Sequence, residues 1–375
     1  MEWAVLLYLE NHDLTLSSVE FTLNSFKRGL MGMFYMNMSS SSGKSVKVLV
    51  TIPRSLYKQV SRVEDELKLK GFADVLFNPY DRNLTEDELA ELVKDVDGCI
   101  TCWGSPKFTE KVLTNADRLK IIGHAAGSVK PYVTEGVFRR GIVVVNAAST
   151  IALSVAEFTL AMMLNCLRAI PYYIDAMRMK NWRLEAKRKT YDLRSRTVGL
   201  IGFGAVAREL VKLLKPFNVR ILVYDPYVSD EDLEMYGVER SSLEELLSSS
   251  DIVSLHAAST PETHRMLDEK QLRIMKSTAF LINTAGPLID ENALAKALKE
   301  KWIAGAALDR FEEEPLPSSS PLYELDNVLL TPHIAGPSDE RESMLFGTIV
   351  EDFRRFFSGE KPLNIVKYEK LRFLA

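Results

Sequence analysis

The rhythm of apolar positions in this chain becomes regular at residue 46. From there, short apolar runs alternate with stretches in which apolar residues recur every three or four places. Runs at Val46–Ile52, Ala73–Phe77, Gly98–Trp103, Leu119–Gly123 and Ile142–Asn146 predict strands, with helical spacing at Glu86–Lys94 and Thr109–Asn115 between them. Such alternation predicts a parallel sheet joined by right-handed crossovers. A second series opens at Thr197. Its strands fall at Val198–Ile201, Arg220–Tyr224, Ile252–Leu255, Ala279–Asn283, Gly305–Leu308 and Val328–Leu330, and its helices at Leu243–Leu247, Glu269–Met275 and Asp290–Lys301. A last helix, Asp339–Phe357, leaves this series and is expected to fold back on the first. Between the two, Ala152–Lys180 reads as one long helix, apolar nearly all round at Val155, Phe158, Leu160 and Met162–Leu164. Glu157, Asn165 and Arg168 interrupt it, so burial between domains or subunits is expected rather than a membrane span.

Residues 1–45 fit neither series. The apolar run Trp3–Leu9 has no basic stretch before it and no cleavage pattern after it, so it does not read as a signal peptide. Ser39–Gly43 has linker composition, and the segment is expected to be a poorly ordered extension. At 375 residues and 46% apolar, the chain has material for two domains. A net charge of −4 argues against a nucleic-acid partner. Eight Lys/Arg between Arg178 and Arg196 are broken by Glu185 and Asp192 and read as a solvated arm. Three cysteines without a secretory signal point to a reducing, cytoplasmic setting. Cys99 and Cys102 lie three apart on a strand and so face opposite sides, which suits core packing and not a metal or redox pair.

The most specific stretch is Val198–Asp225. A strand runs into Gly202-x-Gly204-x-x-Ala207, an amphipathic helix follows (Val206, Leu210, Val211, Leu214), and a second strand ends in Asp225, 21 residues past Gly204. Gly202 permits a tight turn, Gly204 lets backbone approach a pyrophosphate, and Ala207 lets helix and strand pack closely. The helix N-terminus then faces the phosphates. A carboxylate at Asp225 can accept from both ribose hydroxyls and would repel a 2′-phosphate, which favours NAD over NADP.

Polar or small residues gather at the other strand ends, where an open α/β sheet binds its ligand. They are Gly127–Lys130, His256–Ala258, Asn283–Gly286, Asp309, Glu314 and His333–Gly336. Hydride transfer to a carbonyl requires a proton donor for the developing alkoxide, and imidazoles as a class titrate near neutrality. Of the five histidines, His12 lies in the extension, His124 and His256 end strands and suit a hydrogen-bonded structural role as well as a chemical one, and His264 reads as helix surface. His333, after Thr331-Pro332 and before small residues, is the candidate acid/base, and Glu314, fixed beside Pro315, its candidate orienter.

On these residues the chain resembles the D-isomer-specific 2-hydroxyacid dehydrogenase family over about residues 46–368. The matching stretches are Gly199–Ala207 with Asp225, Leu255–Thr263, Leu281–Ala285 with Asp290–Leu294, Ala304–Pro317 and Asn327–Gly336. The resemblance implies two doubly wound parallel-sheet domains. A flavodoxin-like catalytic domain (46–148 plus 337–375) would carry an inserted Rossmann coenzyme domain (149–336). It also implies a homodimer built on the coenzyme domains, near the Ala152–Lys180 helix. By the same resemblance, Gly202, Gly204, Ala205 and Val206 meet the pyrophosphate of NAD and Asp225 the adenosine ribose. Ala257, Ala258 and Thr263 line the adenine side, although Ala258 replaces the usual proline. Thr284, Ala285, Asp309, His333 and Gly336 fall at the nicotinamide end. Backbone N–H groups of Gly127–Val129, with Lys130 beside them, would hold the carboxylate of a small 2-hydroxy or 2-keto acid. Glutamate rather than glutamine at 314 favours a hydroxy acid over formate.

One departure is large. The family pattern Asn-Thr-Ala-Arg-Gly carries an arginine for the substrate's carboxylate and carbonyl, whereas here Ala285 runs directly into Gly286. Two charge-assisted bonds at roughly 1.5–3 kcal/mol each make its loss worth about two to four orders of magnitude in rate. Lys130 and Arg310 are the replacement candidates. Arg310 stands where the family has an apolar residue, and strand alternation sets it opposite Asp309. An alternative expectation is therefore an NAD(H)-binding sensor or interaction protein without turnover.

Overall fold

The computed structural model describes residues 46–182 and 188–373; the 1–45 extension with His12, and residues 183–187 of the basic stretch, lie outside these. Two wholly parallel sheets organise the described chain. The first contains β1 (Lys47–Val50), β2 (Asp74–Phe77), β3 (Gly98–Thr101), β4 (Ile121–His124) and β5 (Val143–Asn146), in the order β2-β1-β3-β4-β5. The second contains β6 (Thr197–Ile201), β7 (Arg220–Tyr224), β8 (Glu239–Arg240), β9 (Ile252–Leu255), β10 (Phe280–Asn283), β11 (Gly305–Leu308) and β12 (Val328–Leu330), in the order β12-β11-β10-β9-β6-β7-β8. The first order is flavodoxin-like and the second Rossmann-like. Winding reverses between β1 and β3 and between β6 and β9, so the loops beyond those strand ends diverge and leave a crevice.

Inner strands covered on both faces have no polar side to present, which is why β3, β4, β9, β10 and β11 are buried along their whole length. The edge strand β8, Glu239-Arg240, is exposed and has no apolar signature, and it escapes the pattern reading for that reason. Cys99 packs with Leu49, Leu89 and Ile122 on one side of the first sheet, and Cys102 with Val48, Val50 and Ile100 on the other. Burial pushes the Cys102 thiol up to about 12. Both sulfurs are core groups.

The helix Leu345–Phe357 packs on the first sheet. Phe346, Ile349, Val350 and Phe353 are fully buried with Val48, Val50 and Ile121. A Cβ at Gly123 would lie 2.2 Å from the Ile349 side chain and 2.7 Å from Phe353, so glycine there sets how closely helix and sheet approach.

Three local readings require correction. Ala152–Lys180 is two helices, Ala148–Arg168 and Ile170–Arg178, hinged at Ala169 (φ 48°). Pro171 has no N–H to give to the preceding turn, so the first helix cannot continue. Asp339–Phe357 likewise divides into Asp339–Glu342 and Leu345–Phe357. His264 lies in the turn after Thr260, not on a helix. The helix Ala148–Arg168 is long and apolar enough to cross a membrane by length and composition. It instead runs against the helix Ala205–Leu214 and reaches β10 and β11, with Ala156, Met163 and Leu167 in the same core as Ala207, Leu210 and Ile282.

Candidate active site

Because every strand of the second sheet runs the same way, its polar loops emerge along one edge. At the end of β6, Gly202 turns with φ 90°, and a Cβ there would lie 2.5 Å from the Ala257 nitrogen. Only glycine allows β6 and the 256–257 loop to approach so closely. Gly204 precedes the helix Ala205–Leu214, and no side chain caps that helix. A Cβ at Gly204 would meet nothing within 4 Å, so the space before the first-turn N–H groups is open. Uncapped N–H groups at a helix N-terminus form an anion cradle. Asp225, at the end of β7, accepts from the Phe203 N–H (2.8 Å) and the Tyr227 N–H (2.8 Å). One bond to each oxygen leaves further lone pairs for a diol. Turn, cradle and acid together fit a dinucleotide.

On the other flank, Thr263 Oγ1 donates to the Ala258 carbonyl (2.6 Å) and closes the loop that holds Ala257 and Ala258. Thr284 meets Thr159 of the long helix at 3.3 Å. Asn283 shapes the shortened loop. Its Oδ1 accepts from Ala285 N (3.1 Å) and Gly286 N (3.4 Å), while its Nδ2 donates to Gly286 O (2.9 Å) and Arg310 O (3.2 Å). The loop without the arginine is thus a closed, hydrogen-bonded turn.

His333 and Glu314 meet: Nδ1 lies 2.7 Å from Glu314 Oε2, with His333 about half exposed. His333 has φ 53°, sterically unfavourable for a residue with a side chain. Asp309 holds it there. This buried carboxylate accepts from Thr331 Oγ1 (2.7 Å), Ile334 N (2.8 Å) and Ala335 N (2.8 Å), gripping the loop on both sides of the histidine. Strain at one exposed imidazole, maintained by a buried anchor, is a mark of a functional position. Gly336 follows with open space where a Cβ would stand.

Glu314 has a second partner that alternation did not anticipate. Its Oε1 accepts from Arg310 Nε (2.8 Å) and Phe311 N (3.1 Å). β11 ends at Leu308, so the alternating rule no longer applies at 310 and the guanidinium turns to the same side as His333. Partial burial pushes the Glu314 carboxyl up, but the Phe311 N–H, Arg310 and His333 outweigh it and hold it below the usual carboxylate range.

In the first sheet, the loop after β4 carries Gly127, Ser128 and Val129, whose N–H groups have no protein acceptor among the described residues. Lys130 beside them is half-buried and burial holds its ammonium below the usual lysine range. His124 is buried against the Tyr132 ring (centroids 4.3 Å apart) with Nδ1 2.9 Å from Thr101 Oγ1, and His256 Nε2 lies 2.9 Å from Ser254 Oγ. Burial depresses both rings, to about 3 and about 4. Neither is a proton donor at neutral pH.

Fold and site define a Rossmann-type NAD-binding protein with an imidazole–carboxylate pair in the loops beyond the strand ends of the same sheet. The family model for the NAD-binding domain of D-isomer-specific 2-hydroxyacid dehydrogenases matches residues 160–335. A D-3-phosphoglycerate dehydrogenase of Methanocaldococcus jannaschii is 39% identical over 325 residues, which are 86% of this chain and 59% of that protein. The chain thus spans about three-fifths of that relative's length. A glyoxylate reductase of Korarchaeum cryptofilum is 35% identical over 84% of this chain and 93% of its own. The D-lactate dehydrogenase of Escherichia coli, in its apo-structure, superposes with a TM-score of 0.63 at 27% identity, covering 86% of this chain and all of that one (100%). The chain belongs to the D-isomer-specific 2-hydroxyacid dehydrogenase family, and its cofactor is NAD.

Proposed function

We propose that this protein interconverts a small D-2-hydroxy acid and its 2-keto acid. The observation that carries the reading is the 2.7 Å contact between His333 Nδ1 and Glu314 Oε2 on the edge that also bears the dinucleotide cradle. NAD, when bound, supplies or accepts the hydride at the substrate's C2. Gly202, Gly204, Ala205 and Val206 would hold its phosphates and Asp225 its ribose. Thr263 with Ala257 and Ala258, and Thr284 with Ala285, would line the two ends of its path.

For reduction, His333 holds a proton at Nε2 and gives it to the carbonyl oxygen as charge develops there. Glu314 accepts from Nδ1–H, which fixes the tautomer and stabilises the charged ring. For oxidation, Nε2 takes the hydroxyl proton. Asp309 touches none of the reacting atoms in this scheme; it keeps the loop that presents His333 in place. The backbone N–H groups of Gly127, Ser128 and Val129 address the substrate carboxylate from the first lobe. The exposed apolar run Ile170, Ile174, Met177 and Met179, on the short helix that follows the long one and just past its end, supports pairing with a second copy on that face.

The closed Asn283–Gly286 turn, which offers no cation, favours a second reading as an NAD(H)-binding sensor without turnover. The test is NADH oxidation with glyoxylate, hydroxypyruvate, pyruvate and phosphohydroxypyruvate, alongside NADH binding by fluorescence. Turnover of any of them supports the enzyme. NADH binding with none turned over supports the sensor.

A further inference from the structure

Glu314 is shared. One oxygen faces the imidazole of His333 and the other takes Nε of Arg310. Arg310 commits only that Nε; among the described residues its two Nη groups have no partner. A guanidinium is planar and rigid, so fixing Nε on Glu314 leaves the opposite edge, Nη1 with Nη2, as a two-donor fork with a set direction. That edge matches the two oxygens of a carboxylate. At 29% exposed, the side chain is sheltered but reachable.

Other arginines on neighbouring segments already have acids. Arg265 Nε binds Glu312 at 2.5 Å, and Arg341 faces Glu157 at 3.9 Å. The loop after β10 supplies no cation. It is tied instead, through Asn283 Nδ2, to the backbone carbonyl of Arg310 itself, so the shortened turn supports the residue that carries the fork.

We propose that Arg310 binds the substrate's carboxylate in this chain, doing from the end of β11 what the absent arginine after Ala285 would do. In a 2-keto acid the carboxylate and the carbonyl sit on adjacent carbons. A group that anchors the first must therefore stand beside the group that protonates the second. Glu314 fixes that separation by holding the guanidinium with one oxygen and the imidazole with the other. This inference rests on the dehydrogenase reading for its substrate, and the experiment separates the two.

Arg310→Met and Arg310→Lys are compared with the parent protein in NADH oxidation and, independently, in binding of oxalate to the NADH-loaded protein by calorimetry. NADH affinity and melting temperature verify that each variant is folded. Loss of two charge-assisted bonds predicts a fall in kcat/KM of roughly hundredfold or more for Arg310→Met, carried mainly by KM, and loss of oxalate binding. Arg310→Lys, a point charge without the fork, restores only a minor part. Millimolar guanidinium added to an Arg310→Ala protein restores turnover and oxalate binding, which a purely structural role would not produce. The proposal is overturned if Arg310→Met binds oxalate like the parent. It is overturned equally if Arg310→Met changes only kcat and its pH profile, or if Lys130→Met abolishes oxalate binding and Arg310→Met does not. A parent that binds oxalate through Arg310 yet turns over no keto acid refutes the dehydrogenase reading and keeps the anion site; one that binds no oxalate refutes the site.

Discussion

Replacing Glu314 by Gln changes one atom and isolates the charge beside His333. The geometry dictates which way the new amide must face. Arg310 Nε and Phe311 N both donate to Oε1, so the amide oxygen belongs on that side and its NH2 is turned toward His333 Nδ1. A charged imidazole donates at both nitrogens, and at Nδ1 it would then meet another donor. The protonated ring loses its partner, and the neutral ring with Nδ1 accepting becomes the favoured form. A hydrogen bond to an ionised group contributes roughly 1.5–3 kcal/mol. With Glu314 at 29% and His333 at 49% exposed, solvent screening places the loss at the lower end. Converted at about 1.36 kcal/mol per decade, kcat for keto-acid reduction falls about 10- to 30-fold. NADH affinity changes little, since Glu314 is not in the phosphate or ribose cradle. Steady-state NADH oxidation between pH 5.5 and 8, with NADH binding by fluorescence, reads both quantities. A Glu314→Gln protein with the parent's kcat and pH profile would refute the assignment of charge stabilisation to this carboxylate.

Three further outcomes are expected. Gly202→Ala puts a methyl 2.5 Å from the Ala257 nitrogen at φ 90°; overpacking of this kind costs about 1–3 kcal/mol, so the melting temperature drops and NADH binding weakens at least tenfold, and an unaltered NADH affinity would contradict the turn geometry. His124 and His256 are held neutral by burial, at about 3 and about 4 against an unfolded value near 6.5. The unfolded chain therefore takes up protons that the fold refuses, and stability, unaffected above pH 6.5, declines as pH falls from there toward 4. For the fully buried His124 the loss at pH 5 is on the order of 2 kcal/mol, and urea midpoints at pH 7 and 5 that move no less in His124→Asn than in the parent would refute it. Met177→Asp places a charge in the exposed apolar run Ile170–Met179; sedimentation velocity is expected to show a dimer for the parent and a monomer for the variant, and a monomeric parent would remove that interface.

Much of the frame was legible because buried parallel strands are apolar runs that stop abruptly at glycine or a polar residue. Arg220–Tyr224, Ile252–Leu255, Gly305–Leu308 and Val328–Leu330 have the limits their patterns indicate. Glu239-Arg240 could not be read, since an exposed edge strand needs no apolar face. The break at Ala169 was signalled by Pro171, and the apolar rhythm running through it hid the signal. Within the site, the pairing of His333 with Glu314 follows from residue type and from proline beside the acid. The pairing of Arg310 with the same acid does not, because strand alternation holds only as far as Leu308, where the strand ends. Nor does any sequence pattern mark the left-handed backbone of His333 or the three bonds by which Asp309 maintains it. Such contacts join segments more than twenty residues apart and exist only once β11 and β12 lie side by side.

In the proposed reaction hydride and proton reach opposite ends of one carbonyl, the proton from His333. Single-turnover reduction of hydroxypyruvate by NADH deuterated at the transferring position, followed by chiral analysis of the glycerate, tests it most directly. The expected product is D-glycerate labelled at C2, with none formed by a His333→Ala protein equally loaded with NADH. An L-product, an unlabelled C2, or undiminished turnover without the imidazole would contradict it.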